Sequence, residues 1–288
     1  MSHEIELKLA LGPEGPAALR GHPLLDGLVP RLTTLGNTYF DTPEGALETA
    51  RMALRLRRAD GRLLQTLKTR GQGGGGLSRR GEWEWEVPGP GLDLAGLAAL
   101  PPMAAHGDAL LARLVPRFAT DFRREAWRLD FGEARIEVAL DLGEIRAAGR
   151  TVAIRELELE LEAGEPDALW DLAEALAESV PLRPADTSKA ARGGALLAGT
   201  WPLPEGGNAG AWLHRAVVAL DAFVDTGDPR WREQAREAFL HLVDSAGSPH
   251  ATARELARGL DDPAWPTPAF GRAALRLARR LPAGRQAP

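Results

Sequence analysis

There is no cysteine in this sequence, there are only three lysines, and no apolar run is long. Without cysteine, disulfides, thiolate metal sites and thiol catalysis are excluded. No stretch approaches the roughly 20 apolar residues that cross a bilayer as a helix. The opening Met1-Ser2-His3-Glu4 carries no secretory-signal pattern. We therefore expect a cytoplasmic protein that does not engage the membrane. Histidine is scarce and scattered (His3, His22, His106, His214, His241, His250), with no metal-ligand spacing on one element, so a histidine zinc site is not expected. The net charge of −5 argues against nucleic acid as a partner.

The scarcity of lysine is informative because basic residues are not scarce. Of 35 basic residues, 32 are arginine, leaving Lys8, Lys68 and Lys189. Where only a positive charge is wanted, this chain uses Arg. The surviving lysines are candidates for sites that need a compact ammonium rather than a planar fork. Survival at solvated positions is the competing explanation, and composition alone does not choose between them.

What is present is a series of alternating strands. Residues 3–9 place Glu4, Glu6 and Lys8 on one face and Ile5, Leu7 and Leu9 on the other. Further strands are expected at 31–41, 52–58 and 62–70, the last two joined by the hairpin signal Asp60-Gly61. Others follow at 80–87, 118–131, 134–145 and 151–162. The glycine run at 71–76 lacks the Gly-Lys-Ser/Thr ending of a phosphate-binding loop and reads as a flexible hairpin tip. Short helices are expected over 92–114. Beyond Pro166 the period becomes helical: 167–179, then 187–198 capped by Thr187 or Ser188. After an extended linker, helices are expected near 209–226, 229–246, 249–260 and 267–281.

Glu4/Glu6/Lys8, Arg55/Arg57, Thr66/Lys68, Arg80/Glu82/Glu84, Arg124 and Asp141 all sit on strands with apolar residues at alternate positions. Taken singly, such a strand has a solvated face and a buried one. Seven or more of them suggest a closed sheet. Outward charges would fill the barrel with leucine and leave the apolar stripes of the helices uncovered. Turning the charges inward and laying the helices on an apolar outer face solves both problems. Inward carboxylates repel one another unless cations relieve them, and inward bases need an anion. Oxygen ligands suit Mg2+ or Mn2+, and Arg with Lys suits phosphate.

Glu4-x-Glu6-x-Lys8 resembles the opening signature of the CYTH superfamily, the triphosphate tunnel metalloenzymes. The later elements follow in that family's order: Tyr39-Phe40-Asp41-Thr42, Arg55-x-Arg57, Thr66-Leu67-Lys68, Arg80-x-Glu82, Arg124, Asp141, Glu156-x-Glu158 and Ser188-Lys189. All three lysines fall on family lysine positions. The resemblance, spanning residue 3 to about 198, implies an α+β fold: an eight-stranded antiparallel β-barrel forming a hydrophilic tunnel, with helices outside. It implies phosphate contacts from Lys8, Arg55, Arg57, Lys68, Arg80, Arg124, Lys189 and Arg192, and metal contacts from Glu4, Glu6, Asp141, Glu156 and Glu158. Glu4, Glu6 and Lys8 are the expected catalytic set, and Glu82 is expected in the tunnel without an assigned role. The implied reaction is metal-dependent hydrolysis of inorganic triphosphate to pyrophosphate and phosphate. Hydrolysis of thiamine or nucleoside triphosphates, adenylyl cyclisation and non-catalytic polyphosphate binding remain alternatives.

The division expected from sequence is a tunnel domain at 1–200, a linker at 201–208 and a small all-α module at 209–288. The module's position resembles that of a CHAD domain, shortened and without its histidine-rich motifs. With 11 arginines against 9 acidic residues it carries no basic patch, so packing on the barrel or forming a homodimer is the simpler expectation.

Overall fold

The structure, a computed structural model, describes residues 2–69, 72–243 and 250–281; the side chains at 2–4, 72, 73 and 80 lie outside that description. Among the described residues, the strands are β1 (Ser2–Leu11), β2 (Arg31–Asp41), β3 (Ala53–Ala59), β4 (Arg62–Lys68), β5 (Gln72–Gly74), β6 (Leu77–Glu86), β7 (Val115–Phe131), β8 (Ala134–Ala147), β9 (Arg150–Ala163) and β10 (Leu182–Pro184). Every pairing is antiparallel. The order β1-β9-β8-β7-β2-β3-β4-β6 returns to β1, because β1 also pairs with β6. Eight strands thus close into a barrel, which leaves no bare edge among them. β5 extends β6, and β10 takes over the edge of β1 where β6 leaves it.

The helices are α1 (Gly15–Arg20), α2 (Ala46–Thr49), α3 (Leu94–Ala98), α4 (Gly107–Leu111), α5 (Asp167–Leu176), α6 (Lys189–Ala198), α7 (Ala209–Thr226), α8 (Pro229–Val243), α9 (His250–Gly259) and α10 (Pro268–Arg280). Ser188 caps α6, its hydroxyl accepting from Ala191 N at 3.2 Å. None of the described helices is long and apolar enough to cross a membrane. The expected strand end at 70, the first glycine of the run at 71 and the expected helix end at 246 lie outside the described residues.

The alternation decides which side of the sheet is wet. Leu7, Leu9, Val138, Leu140, Leu157 and Leu159 point out of the barrel into one core shared with α5 and with α7–α10. Each fully buried leucine adds about 1.5–3 kcal/mol relative to an exposed one, so the outer face is where the fold gains its stability. On the opposite flank Leu54 and Leu67 are covered by Leu47, Leu97 and Leu111 of the short helices. The C-terminal helices thus pack directly on the barrel wall, with segment 199–208 running extended between α6 and α7.

Two local features depart from expectation. The glycine run is a tight turn rather than a loose tip. Gly75 and Gly76 sit at φ of 65° and 96°, and a Cβ on them would lie 2.7 Å from Ala278 Cβ and 2.6 Å from Lys8 O respectively. At Gly76 the approach is to the Lys8 backbone itself, which only glycine allows. The second is an apolar stopper inside the barrel. Leu35, Phe122, Ile145, Val152 and Ile154 lie on the inner face of their strands, and Leu196 of α6 packs onto them. α6 therefore closes one end of the tunnel.

Candidate functional site

Directly opposed residues on neighbouring strands point to the same face, so the register can be followed around the barrel. Lys8 pairs with Glu158, and Glu6 with Glu160. Glu156 pairs with Asp141, Asp141 with Arg124, and Arg124 with Thr33. Asn37 on the same face of β2 pairs with Arg57, and Tyr39 with Arg55. Arg55 pairs with Thr66, Thr66 with Glu84 and Lys68 with Glu82. Glu4 pairs with Arg80 and Glu6 with Ser78, closing the ring. The side chains of Glu4 and Arg80 lie outside the described residues; only their backbone register is stated. The other sequence-predicted residues on strands share this inner face, and Lys189 and Arg192 come to it from α6.

The deepest cluster is built around Lys189, delivered by the first turn of α6. Its Nζ lies 2.6 Å from Glu156 Oε2, 2.8 Å from Glu158 Oε1 and 2.8 Å from Asp141 Oδ2. Phe122 presents its ring 5.2 Å from the same ammonium, a cation–π contact. Arg124 forks onto Asp141 with two contacts of 2.7 Å and also pairs with Glu158. Arg192, one turn along α6, places Nη1 2.5 Å from Glu156 Oε1. Asp141 is wholly buried.

These contacts set the protonation states. Burial alone would neutralise Lys189, but Asp141, Glu156 and Glu158 outweigh it and hold the ammonium well above its ordinary range. Burial likewise opposes the charge on Glu156 and Glu158, and the surrounding Lys189, Arg192 and Arg124 overcome it, so both carboxyls titrate below their usual values. They are poor proton acceptors at neutral pH and good cation holders.

Nearer the open end, Lys68 Nζ pairs with Glu82 at 3.0 Å. Arg55 reaches Glu82 and Glu84 at 3.9 Å, and Thr66 donates to Glu84 at 2.7 Å. Arg57 leans on Asn37 at 3.2 Å; burial, then the nearby Arg55, push its guanidinium down to about 10. Lys8 Nζ contacts the carbonyl of Asp186 at 3.4 Å, and Ser78 donates to Glu6 at 3.3 Å.

The charges are interleaved, not segregated. Lys8 faces Glu158, Arg124 faces Asp141 and Lys68 faces Glu82, whereas Glu6 with Glu160 and Glu156 with Asp141 are like-charged pairs. Lys189 stands at the centre of three carboxylates. Among the described residues no group of three or more acidic or histidine side chains converges as a ready metal cage.

Glu84, on the same face of its strand as Glu82, joins the ring through Thr66. Other contributors were not anticipated. Asp186 accepts from Gly76 N at 2.6 Å and meets His214 Nδ1 at 2.7 Å, tying the glycine turn to α7. Gly193 lets α6 lie against Phe118; a Cβ there would come within 2.2 Å of the ring. A glycine pair in mid-helix costs about 1 kcal/mol each relative to alanine, and that cost was the available sequence signal. Asp221 and Asp225 of α7 reach into the site from beyond the recognisable motifs.

The tunnel opens into a cavity of about 2560 Å³, bounded by the barrel interior, segment 200–208 and α7. The CYTH domain model matches residues 2–193. An inorganic triphosphatase of Haemophilus influenzae is 37% identical over 202 residues, covering 67% of this chain and 54% of the relative. The chain thus spans about half the length of that curated relative. A solved Hippeastrum protein, named as an adenylyl cyclase with a dominant triphosphatase activity, superposes with a TM-score of 0.51 at 23% identity, over 68% of this chain and 96% of its own. The family motifs, the inward-facing charged register and the match over residues 2–193 agree: the chain belongs to the CYTH domain family.

Proposed function

We propose that the tunnel hydrolyses the terminal phosphoanhydride of a small triphosphate, with inorganic tripolyphosphate as the substrate that best fits. The carrying observation is the ring in which Lys189 and Arg124 are fixed by Asp141, Glu156 and Glu158 at the closed end, while Lys8, Lys68, Arg55 and Arg57 line the way in. A linear polyanion of several charges meets Lys and Arg side chains from several strands. The activity of the Haemophilus relative supports the same reading. We place the reaction in the cytoplasm.

We further propose that oxygen donors on this wall hold a hard divalent ion. Glu6 and Glu160 face one another across β1 and β9, Glu158 is their neighbour, and all are oxygen donors. We propose Glu4, Glu6 and Glu158 as the principal holders of Mg2+ or Mn2+. Asp141 and Glu156 share that face and, like Glu158, hold Lys189. When bound, such an ion neutralises phosphate oxygens and acidifies water.

The chain's own residues account for the rest. Arg55, Arg57 and Arg124 offer forked donors to phosphate oxygens, and Lys8, Lys68 and Lys189 offer point charges. Water oxygen bonds to the terminal phosphorus as the bridging P–O bond breaks, and the electron pair leaves with pyrophosphate. Bases already locked in place stabilise that charge without reorganising. Because Glu156 and Glu158 titrate low, their role is to hold cations rather than to accept the proton of water.

Phosphate release should be measured on tripolyphosphate, thiamine triphosphate, ATP and pyrophosphate, with Mg2+ and with Mn2+. Preferential, metal-dependent release from tripolyphosphate is expected. Cyclic AMP from ATP, or preference for an organic triphosphate, would replace the inorganic substrate. Binding of tripolyphosphate without turnover would identify a binding protein.

A further inference from the structure

α7 is outside the family match, which ends at residue 193, yet three of its side chains meet the segment that carries Lys189 and Arg192 into the tunnel. His214, Asp221 and Asp225 lie at spacings of seven and four, which is one face of a helix. His214 meets Asp186. Asp221 accepts from Asp186 N at 3.1 Å, from Thr187 N at 2.9 Å and from Arg183 Nη1 at 2.7 Å. Asp225 takes Arg192: both its oxygens lie 3.1 Å from Nε, and Oδ1 lies 2.6 Å from Nη2. The Asp225 side chain is only 2% exposed.

We propose that Asp225 is a positioning residue of the tunnel, acting through Arg192 on Glu156 and Lys189. This rests on the functional reading above. The contacts form an unbroken series of alternating charge. Asp225 fixes the Nε–Nη2 edge of Arg192, which leaves Nη1 for a single oxygen of Glu156 at 2.5 Å. The other oxygen of Glu156 is thereby free to hold Lys189 at 2.6 Å. Removing the Asp225 charge leaves that edge of Arg192 held only through Nη2, which donates to Ala153 O at 2.6 Å, so the guanidinium can turn further onto the Glu156 oxygens. Lys189 would lose one of its three anchors and shift in the tunnel. A misplacement of about 1 Å at a reacting centre costs on the order of a hundredfold in rate. The C-terminal helices would then complete the active site as well as cover the barrel.

The test is a double-mutant cycle on the full chain. Asp225→Asn, Arg192→Lys and the double variant are compared for tripolyphosphate hydrolysis, and for tripolyphosphate binding by calorimetry with metal chelated. Asp261→Asn, an exposed partner of Arg236 in the same helical region, serves as the control. We expect Asp225→Asn to lower kcat/KM at least tenfold and weaken binding several-fold, Asp225→Glu to recover part of both, and Asp261→Asn to match wild type. The double variant should be no worse than Arg192→Lys alone, since coupled residues do not add. The inference is overturned if Asp225→Asn matches wild type, or if the two losses multiply. A wild-type chain that neither binds nor hydrolyses tripolyphosphate overturns the functional reading first, and this inference with it.

Discussion

Lys189 Nζ lies 2.6 Å from Glu156 Oε2, joining α6 to β9 across 33 residues of sequence inside a closed barrel. Asp141 and Glu158 complete its surroundings, so the ammonium is an internal counter-ion for three carboxylates. Removing one partner of a buried ionic network typically costs about 3–5 kcal/mol, because the remaining charges stay uncompensated. Lys189→Ala should therefore lower the melting temperature markedly at pH 7 and abolish turnover. Lys189→Arg keeps the charge but places a larger planar group among fixed oxygens; it should fold with a smaller loss of stability and still lose most activity. Thermal melts and phosphate release on both variants check this. Equal activity of Lys189→Arg and wild type would show that the ammonium's shape is irrelevant.

At Gly193 α6 lies directly against Phe118. Alanine favours the helix intrinsically, but its methyl group would collide with Phe118, which stacks on Tyr39 with centroids 4.6 Å apart. Overpacking of this kind costs about 1–3 kcal/mol. Gly193→Ala should reduce both stability and activity, because α6 must retreat and carry Lys189 with it. A melting temperature raised above wild type would mean the contact is slack.

How much of this was legible in the sequence follows from what sequence spacing encodes. Strict alternation in 3–9 and 156–162 fixed which residues share a face, and the need to cover apolar helices fixed that face as the inner one. Asp60-Gly61 sits in its hairpin with φ of 50° and 79°, as a primed two-residue turn demands. Pairing between charges was not legible. That Lys189 meets Glu156 depends on where α6 re-enters the barrel, and no local pattern encodes that. The three-residue β10 carries too little periodicity to be seen. Asp225 reads as an ordinary polar position of an amphipathic helix until Arg192 is placed beside it.

His214 gives a dependence on pH. Burial opposes its charged form, but the hydrogen bond and charge of Asp186, with Asp221 behind it, raise its pKa overall. A raised folded pKa means the stabilisation is fully present below the ordinary histidine value of about 6.5 and is lost as pH rises through the higher folded value. His214→Gln should therefore cost stability at pH 6 and cost progressively less towards alkaline pH. Melting temperatures of both proteins from pH 6 to 9 decide it; a difference that does not change with pH would remove His214 as the titrating partner of Asp186.

The outer face of the barrel depends on the C-terminal helices. Leu213, Val217, Leu220, Phe239, Leu256 and Leu275 are buried in the same core as Leu157 and Leu159. A chain ended at Ala198 would expose that face, and a large exposed apolar patch invites aggregation. We expect the shortened chain to be insoluble or to lack a cooperative melt. A soluble 1–198 fragment with a sharp transition and full activity would show that the helices are dispensable and would also remove Asp225 from the site.

The central claim is metal-dependent cleavage of a triphosphate in this tunnel, and one comparison bears on it most directly. Phosphate release from tripolyphosphate is followed for wild type and Glu158→Gln at equal fold integrity, with saturating Mg2+ or Mn2+ and then with chelator. Glu158 is bonded to Lys189 and Arg124 and faces Lys8 across the strand pair, so loss of its charge should disturb metal and phosphate contacts together. The account predicts turnover by wild type that chelator abolishes, and a loss of at least a hundredfold in the variant, a size in keeping with a displaced catalytic group. Wild-type turnover that survives chelation, or a Glu158→Gln variant as active as wild type, would contradict it.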